Sequence, residues 1–317
     1  MGSPANKKAS SRKSRGATGH TVTTTSAGSD ATAAAPTGWQ ATIALNDGTE
    51  IPQLGLGVYC AANGGETERA VLHALRSGYR HVDTAEIYRN ETDVGKALEK
   101  FFAEQAAVTR DDVYVTTKFF PQSGRGYDAV REALRGSLKK LRLTYVDLYL
   151  VHSPNTRTLR LEQWKAMEDL QKENLVKSIG VSNYGIHHLE ELLANCRTPP
   201  AVNQIEVNPY ITRSELCAYC AEKCIVVEAY SPLTRGQKLG DKKLLAIAKA
   251  YGLTGAQLLI QWCLQRGYVV IPKSVKPARI EENNIPADQA PISEADMATL
   301  DGFDEYLVTG WDPTKKP

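Results

Sequence analysis

The 317-residue sequence predicts an α/β protein, a (β/α)8 TIM barrel with a short N-terminal β-hairpin and a disordered N-terminal tail. Two observations carry that expectation. From Leu54 onward, short apolar strands alternate with helical patterns and the beat recurs eight times, which argues for β/α units around a parallel sheet. Chemically active polar residues then collect at the ends of those strands, where barrels of about 250 residues place their active sites. A doubly wound open sheet is the competing architecture. The predicted division is a basic Ser/Thr/Ala-rich tail over residues 1–38 and a barrel over 39–317.

The elements follow in order. Residues 41–51 alternate polar and apolar around Asn46-Asp47-Gly48, a hairpin signal. The first strand is read near 54–57 and its helix over 66–76, stopped by Gly78. The second strand is 80–82. Its helix starts at Glu91 and carries Val94, Ala97, Leu98, Phe101 and Phe102 on one face, the spacing of a helix lying on a sheet. A third strand runs to Lys118, and the next helix repeats the stripe with Val130, Ala133, Leu134, Leu138 and Leu141. Strand four, 146–151, is mostly apolar, as strands covered on both faces are. Further strands are predicted at 178–181, 201–205, 225–229 and 268–271, with helices over 161–173, 186–196, 242–251, 256–266 and 277–283 and one holding the cysteines.

Composition narrows the function classes. The tail holds five cations (Lys7, Lys8, Arg12, Lys13, Arg15) against Asp30, leaving 33 cations and 35 anions in the body. A nearly neutral body predicts no nucleic-acid surface, and no apolar run approaches the ~18 residues that span a bilayer, so no membrane partner is expected. The tail has the acid-poor, Arg- and Ser-rich composition of an organellar transit peptide and equally that of an inert disordered extension. Asn6 at the sixth position breaks the myristoylation pattern opened by Met1-Gly2. Six cysteines in so long a chain suggest reduced thiols and a reducing, cytoplasmic setting. Cys217, Cys220 and Cys224 are expected on one face of a helix without metal. Asn90-Glu91-Thr92 matches a glycosylation acceptor, but Asn90 is read as a helix cap with Asp93 three residues on.

The stretch His81-Val82-Asp83-Thr84-Ala85-Glu86-Ile87-Tyr88 runs off an apolar strand into a loop bearing a carboxylate and a phenol. A phenol with an ordinary pKa of about 10 needs a nearby cation to release its proton at neutral pH. Lys118 supplies one, and Asp83 can pair with it. Successive strand ends then present His152, Ser182 with Asn183, Gln204, Tyr230 with Ser231, and Lys273 with Ser274.

The blocks HVDTAEIY, TTK, LVHSP, IGVSN, NQIEVNPY, AYSPL and IPKSVKPARIEEN, in that order, resemble the signature blocks of the aldo-keto reductase superfamily over roughly residues 40–310. The resemblance implies an NADP(H)-dependent reductase of aldehydes and ketones, acting on a small carbonyl substrate as a monomer or weak dimer. It implies a catalytic tetrad of Asp83, Tyr88, Lys118 and His152, in which Tyr88 gives a proton to the carbonyl oxygen while hydride arrives from a nicotinamide. Ser182, Asn183 and Gln204 would hold the nicotinamide carboxamide and Tyr230 would stack on its ring. Ser231 and Leu233 would add cofactor contacts, Lys273, Ser274 and Arg279 would receive the 2′-phosphate, and Asn283 would face the adenine.

The sequence departs from that pattern where many relatives carry Trp after the catalytic His and this chain has Ser153. Thr234 and Arg235 replace small residues, and Lys276 stands where relatives often have a hydroxyl, adding positive charge beside the phosphate site. Tyr59, Tyr184 and Trp311 are expected to wall a rather open substrate pocket. Two other functions fit parts of the pattern: a non-catalytic nicotinamide sensor on the same fold, and a Schiff-base aldolase using Lys118 or Lys273.

Overall fold

A computed structural model of the protein describes residues 1–2, 41–286 and 288–317. The expectations placed on the tail therefore lie outside the described residues. β1 (Thr42–Ala44) and β2 (Glu50–Pro52) pair antiparallel with Ile43 opposite Ile51. Gly48 closes the hairpin turn with φ of 84°, a left-handed conformation that glycine adopts without steric cost.

Eight parallel strands follow: β3 (Leu56–Gly57), β4 (His81–Asp83), β5 (Tyr114–Phe119), β6 (Val146–Val151), β7 (Val176–Ser182), β8 (Val202–Glu206), β9 (Val226–Tyr230) and β10 (Val269–Val270). They are hydrogen-bonded in chain order. Parallel bridges from Leu54 to Val270 and from Gly57 to Lys273 join the first to the last. Gly55 N donates to Val270 O at 2.9 Å and Val270 N to Gln53 O at 2.8 Å. The sheet curls until its ends meet, which removes the open edges of a doubly wound sheet.

The helices are α1 (Glu66–Arg76), α2 (Glu91–Glu104), α3 (Tyr127–Leu141), α4 (Arg160–Lys172), α5 (Ile186–Leu193), α6 (Ser214–Glu222), α7 (Lys242–Ala250), α8 (Gly255–Gln265), α9 (Pro277–Glu282) and α10 (Glu294–Asp301). The period of two in the strands divides the core. Val82, Val115, Tyr149, Val151, Val181 and Val227 belong to the large apolar cluster that also contains the helix stripes. Their alternates Tyr114, Leu148, Leu150, Val202 and Val269 form a second cluster with Leu45 and Ile51 of the hairpin. The hairpin thus covers the N-terminal floor of the barrel.

Several details differ from the sequence reading. Parallel pairing carries β5 to Phe119, β7 to Ser182 and β8 to Glu206, each one residue beyond the predicted strand end, so Ser182 belongs to its strand and Gln204 is followed by a further inward residue, Glu206. Asn90 does not cap α2: its Nδ2 donates to the carbonyls of Val58 at 2.9 Å and Ala61 at 3.3 Å, and its Oδ1 accepts from Thr84 at 2.9 Å. Its side chain is buried, staples two loops, and is closed to a glycan. Cys224 leaves the face shared by Cys217 and Cys220, because α6 ends at Glu222 and Cys224 is exposed at φ 55°. Helix α10 was absent from the sequence reading, since few apolar residues mark it; it is anchored by buried Leu300 and by Asp301, which accepts from Trp262 Nε1 at 2.9 Å.

Candidate active site

Asp83 ends β4, and Thr84 and Ala85 lead into a single 3-10 turn, Glu86–Tyr88, that carries the phenol back over the barrel mouth. Arg89 stops the turn at φ 60°. β5 lies alongside with Asp83 opposite Thr116, so Lys118, two residues further, projects inward above that pair. Its Nζ donates to both Asp83 oxygens at 2.7 Å, to Thr84 O at 2.9 Å and to the Tyr88 hydroxyl at 3.4 Å. Asp83 and Lys118 are buried, and such an ion pair persists only because each charge is satisfied by the other and by fixed dipoles. His152 follows β6 with its ring 5.6 Å from that of Tyr88 at 76°. The four predicted catalytic residues therefore meet.

The electrostatics correct one expectation. Burial first, and the Asp83 carboxylate next, hold the Tyr88 phenol well above its ordinary value instead of lowering it. The reason is geometric: Lys118 gives its two shortest bonds to Asp83 and only a long one to the phenol. A phenol held this way remains protonated at neutral pH, the state a proton donor requires. Burial and then Lys118 push His152 well below its usual range, leaving a neutral imidazole beside the hydroxyl.

Four of the predicted cofactor residues join the same network. Gln204 Nε2 donates to Asp83 Oδ2 at 2.9 Å and Ser182 Oγ to Gln204 O at 2.8 Å. Asn183 Nδ2 donates to Ser182 Oγ and to His152 O, both at 3.0 Å, while its Oδ1 accepts from the Tyr230 hydroxyl at 2.8 Å. Asn183 and Ser231 hold φ of 63° and 49°, left-handed backbone of the kind that packed surroundings maintain at functional loops. Lys273, Ser274, Arg279, Asn283 and Leu233 share no hydrogen bond with the tetrad. Lys273, Lys276 and Arg279 are exposed cations around the start of α9, Ser274 Oγ accepts from Lys276 N at 3.1 Å, Asn283 is buried at the end of α9, and Leu233 packs on the core.

The pocket wall differs from expectation. Tyr184 is buried in the core with its ring 5.6 Å from His188 of α5, because the left-handed turn at Asn183 swings it away from the mouth. Tyr59, 52% exposed, lies 5.1 Å from the Tyr88 ring, and Trp311 is 38% exposed. Between Trp311 and the tetrad stands Phe120, 6.5 Å from Trp311 and 5.6 Å from His152, an aromatic the sequence reading missed although it comes two residues after Lys118. Ser153, in the place of the usual Trp, is buried. Glu206 was also missed: its carboxylate accepts from Thr309 N at 3.1 and 3.2 Å and from Thr309 Oγ1, and so pins the C-terminal segment across the mouth.

These groups fit a nicotinamide dinucleotide phosphate by their chemistry. Hydroxyl, amide and phenol side chains converge where a carboxamide and ring would lie, and three unburied cations suit a phosphate dianion. Among the described residues no group of His, Cys, Asp or Glu is arranged to hold a metal ion, and no helix is long and apolar enough to cross a membrane.

Comparison with known proteins supports the same assignment. The chain is 39% identical over 278 residues to glyoxal reductase of Bacillus subtilis, covering 88% of this chain and 98% of that protein. It is 47% identical over 244 residues to methylglyoxal reductase DkgA of Escherichia coli, covering 76% and 86%. Among solved structures, a Bombyx mori aldo-keto reductase in complex with NADP aligns with a TM-score of 0.79 at 35% identity, over 86% of this chain and 95% of that one. Residues 54–305 match the model of the aldo/keto reductase family, and the chain belongs to that family.

Proposed function

We propose that the protein reduces small aldehydes and ketones to alcohols with NADPH, with Tyr88 as the proton donor. The observation that carries this is the buried Asp83–Lys118 pair, with Lys118 Nζ 3.4 Å from a phenol that faces a neutral His152. NADPH supplies the hydride when bound. Tyr88 and His152 together address the carbonyl oxygen, and hydrogen-bond donors aimed at a developing alkoxide lower the barrier where charge appears. As Tyr88 yields its proton, Lys118 and the dipoles around it stabilise the phenolate. Ser182, Asn183 and Gln204 would hold the carboxamide, Tyr230 would offer its ring to the nicotinamide with Ser231 and Leu233 alongside, and Lys273, Ser274 and Arg279 would receive the 2′-phosphate, with Asn283 toward the adenine. Glyoxal-type 2-oxoaldehydes are the substrate class we favour, since two similar proteins are named for them; Tyr59 and Phe120 stand against the tetrad, with Trp311 beyond Phe120. We place this chemistry in a monomer or weak dimer in the cytoplasm, or in an organelle if the basic tail directs it there.

The test is NADPH consumption across a panel of aldehydes beside the same panel with NADH. NADPH should be clearly preferred, and Arg279→Ala should raise KM for NADPH about 10-fold or more with little change in kcat, the loss of one charge-assisted contact. Equal use of both cofactors by the unaltered protein would contradict the phosphate assignment.

A further inference from the structure

Glu228 has no part in the mechanism above, yet it stands in the interior of β9 beneath the tetrad and is completely buried. Gln204 Nε2 donates one hydrogen to Glu228 Oε2 and the other to Asp83 Oδ2, each at 2.9 Å. An amide has two such hydrogens. Both are spent downward, so only Gln204 Oε1 is left for whatever binds above. Glu228 Oε1 has no hydrogen-bond partner, and His81 Nε2 lies 3.6 Å from it. We propose that Glu228 is a positioning residue of the reductase site, a protonated acid that fixes the Gln204 amide from below and leaves Lys118 balanced by Asp83 alone. The inference rests on the reductase reading above.

The surroundings supply the reason for the proton. Facing Glu228 are His81 and Asp83 from β4, Tyr114 and Lys118 from β5 and Gln204 from β8, while β10 sets Val269 opposite it. Lys118 already has both Asp83 oxygens at 2.7 Å, so an ionised Glu228 would be a second buried anion without a cation of its own. Burial, then Asp83, pushes its carboxyl up to about 8. Burial, then Lys118, takes His81 down to about 3, so the proton rests on the acid and not on the imidazole. Ionisation at alkaline pH adds an anion that raises Tyr88 further.

Two readouts in Glu228→Gln test this. The variant keeps the acceptor for Gln204 but cannot ionise. In alcohol oxidation with NADP+, where Tyr88 must act as the base, its rate should rise at lower pH than in the unaltered enzyme, by about half a unit or more. Stability supplies the second readout. The ordinary carboxyl value is 4.5 and the folded one about 8, so over this interval the folded state holds a proton that the unfolded state has lost, and stability falls as pH rises. His81 acts in the opposite sense only below its ordinary 6.5, so between 6.5 and 8 the slope comes from raised carboxyls, Glu228 beside Asp83 and Glu206, which burial also pushes up. Tm of the unaltered protein should decline there more steeply than that of Glu228→Gln, the difference being the share of Glu228. Should the variant not fold, carbon-13 NMR of glutamate-labelled native protein must reveal one carboxyl still protonated at pH 7. Coincident pH profiles in an active pair, or glutamates that all titrate in the ordinary range, overturn the inference. Failure of the unaltered protein to oxidise or reduce any substrate with the nicotinamide cofactor would instead defeat the reductase reading.

Discussion

The two ends of the barrel interior are made from the same strands and behave as different materials. Read upward along the inward positions, β5 presents Tyr114, Thr116 and Lys118, β8 presents Val202, Gln204 and Glu206, and β9 presents Val226, Glu228 and Tyr230. The floor is an apolar cluster closed by Leu45 and Ile51 of the hairpin. The upper layers are a continuous hydrogen-bonded network running from Tyr230 through Asn183, Ser182 and Gln204 to Asp83, Lys118 and Tyr88. Apolar burial at the floor favours the folded state by area alone. Buried charges above it are expensive unless paired, and they are retained for what they do to Tyr88. A change at the upper end should therefore appear in rate, and a change at the floor in stability.

The largest expected effect is at the top. Tyr88→Phe removes one oxygen that accepts a long bond from Lys118, so the fold and NADPH binding should survive, while kcat falls about 10²- to 10⁴-fold, the usual contribution of general acid catalysis. NADPH fluorescence titration beside steady-state reduction of a reactive aldehyde separates the two, and a variant retaining most of its kcat would remove Tyr88 from the mechanism. Lys118→Met should lose rate similarly, and it should also lose stability because Asp83 would be left buried without its cation.

The floor should answer in the opposite way. Leu148 is buried in β6 between Thr116 and Ser178 on the neighbouring strands, and it belongs to the interior cluster. Leu148→Ala should destabilise by about 2–5 kcal/mol, the transfer and cavity cost of such a truncation, while kcat per folded molecule changes little. Urea unfolding read beside kcat decides this. A large loss of rate without a loss of stability would show that the two ends are coupled in a way the contrast denies.

The contrast also explains what could be read from the sequence. The helix stripes and apolar strands are local, and period alone placed most elements within a few residues. Asp83, Lys118 and His152 were legible as polar groups at strand ends, which converge in a barrel, while their union with Tyr88 as a tetrad came from the family resemblance. Glu228 carried a signal that went unused: a lone carboxylate inside Ile225-Val226-Val227-Glu228-Ala229 has no place in a strand buried on both faces unless it meets a partner. Other features depend on contacts that no local pattern encodes. The bond between Glu206 and Thr309 spans 103 residues. Tyr184 was expected, with Tyr59 and Trp311, to wall the pocket, and the left-handed backbone at Asn183 sends it into the core instead.

The smallest expected effect lies at the rim, where neither end of the barrel decides the outcome. Trp311 is held across the mouth indirectly, because Glu206 fixes Thr309 from β8, and Arg235 Nη1 donates to Thr309 O at 3.2 Å. Its ring reaches Phe120 at 6.5 Å, and Phe120 in turn reaches His152 at 5.6 Å, so it stands one aromatic away from the tetrad. A partly exposed ring contributes little to folding, and Trp311→Ala should shift stability by about 0.5 kcal/mol or less. Its loss should instead raise KM for an aryl aldehyde a few-fold, about 1 kcal/mol of contact, while kcat changes much less, since a wall that binds substrate and transition state alike affects KM. A 2-oxoaldehyde too short to reach the rim should show a smaller change. Steady-state kinetics with both substrates make the comparison, and equal changes in KM for the two, or a fall confined to kcat, would place Trp311 outside the substrate wall.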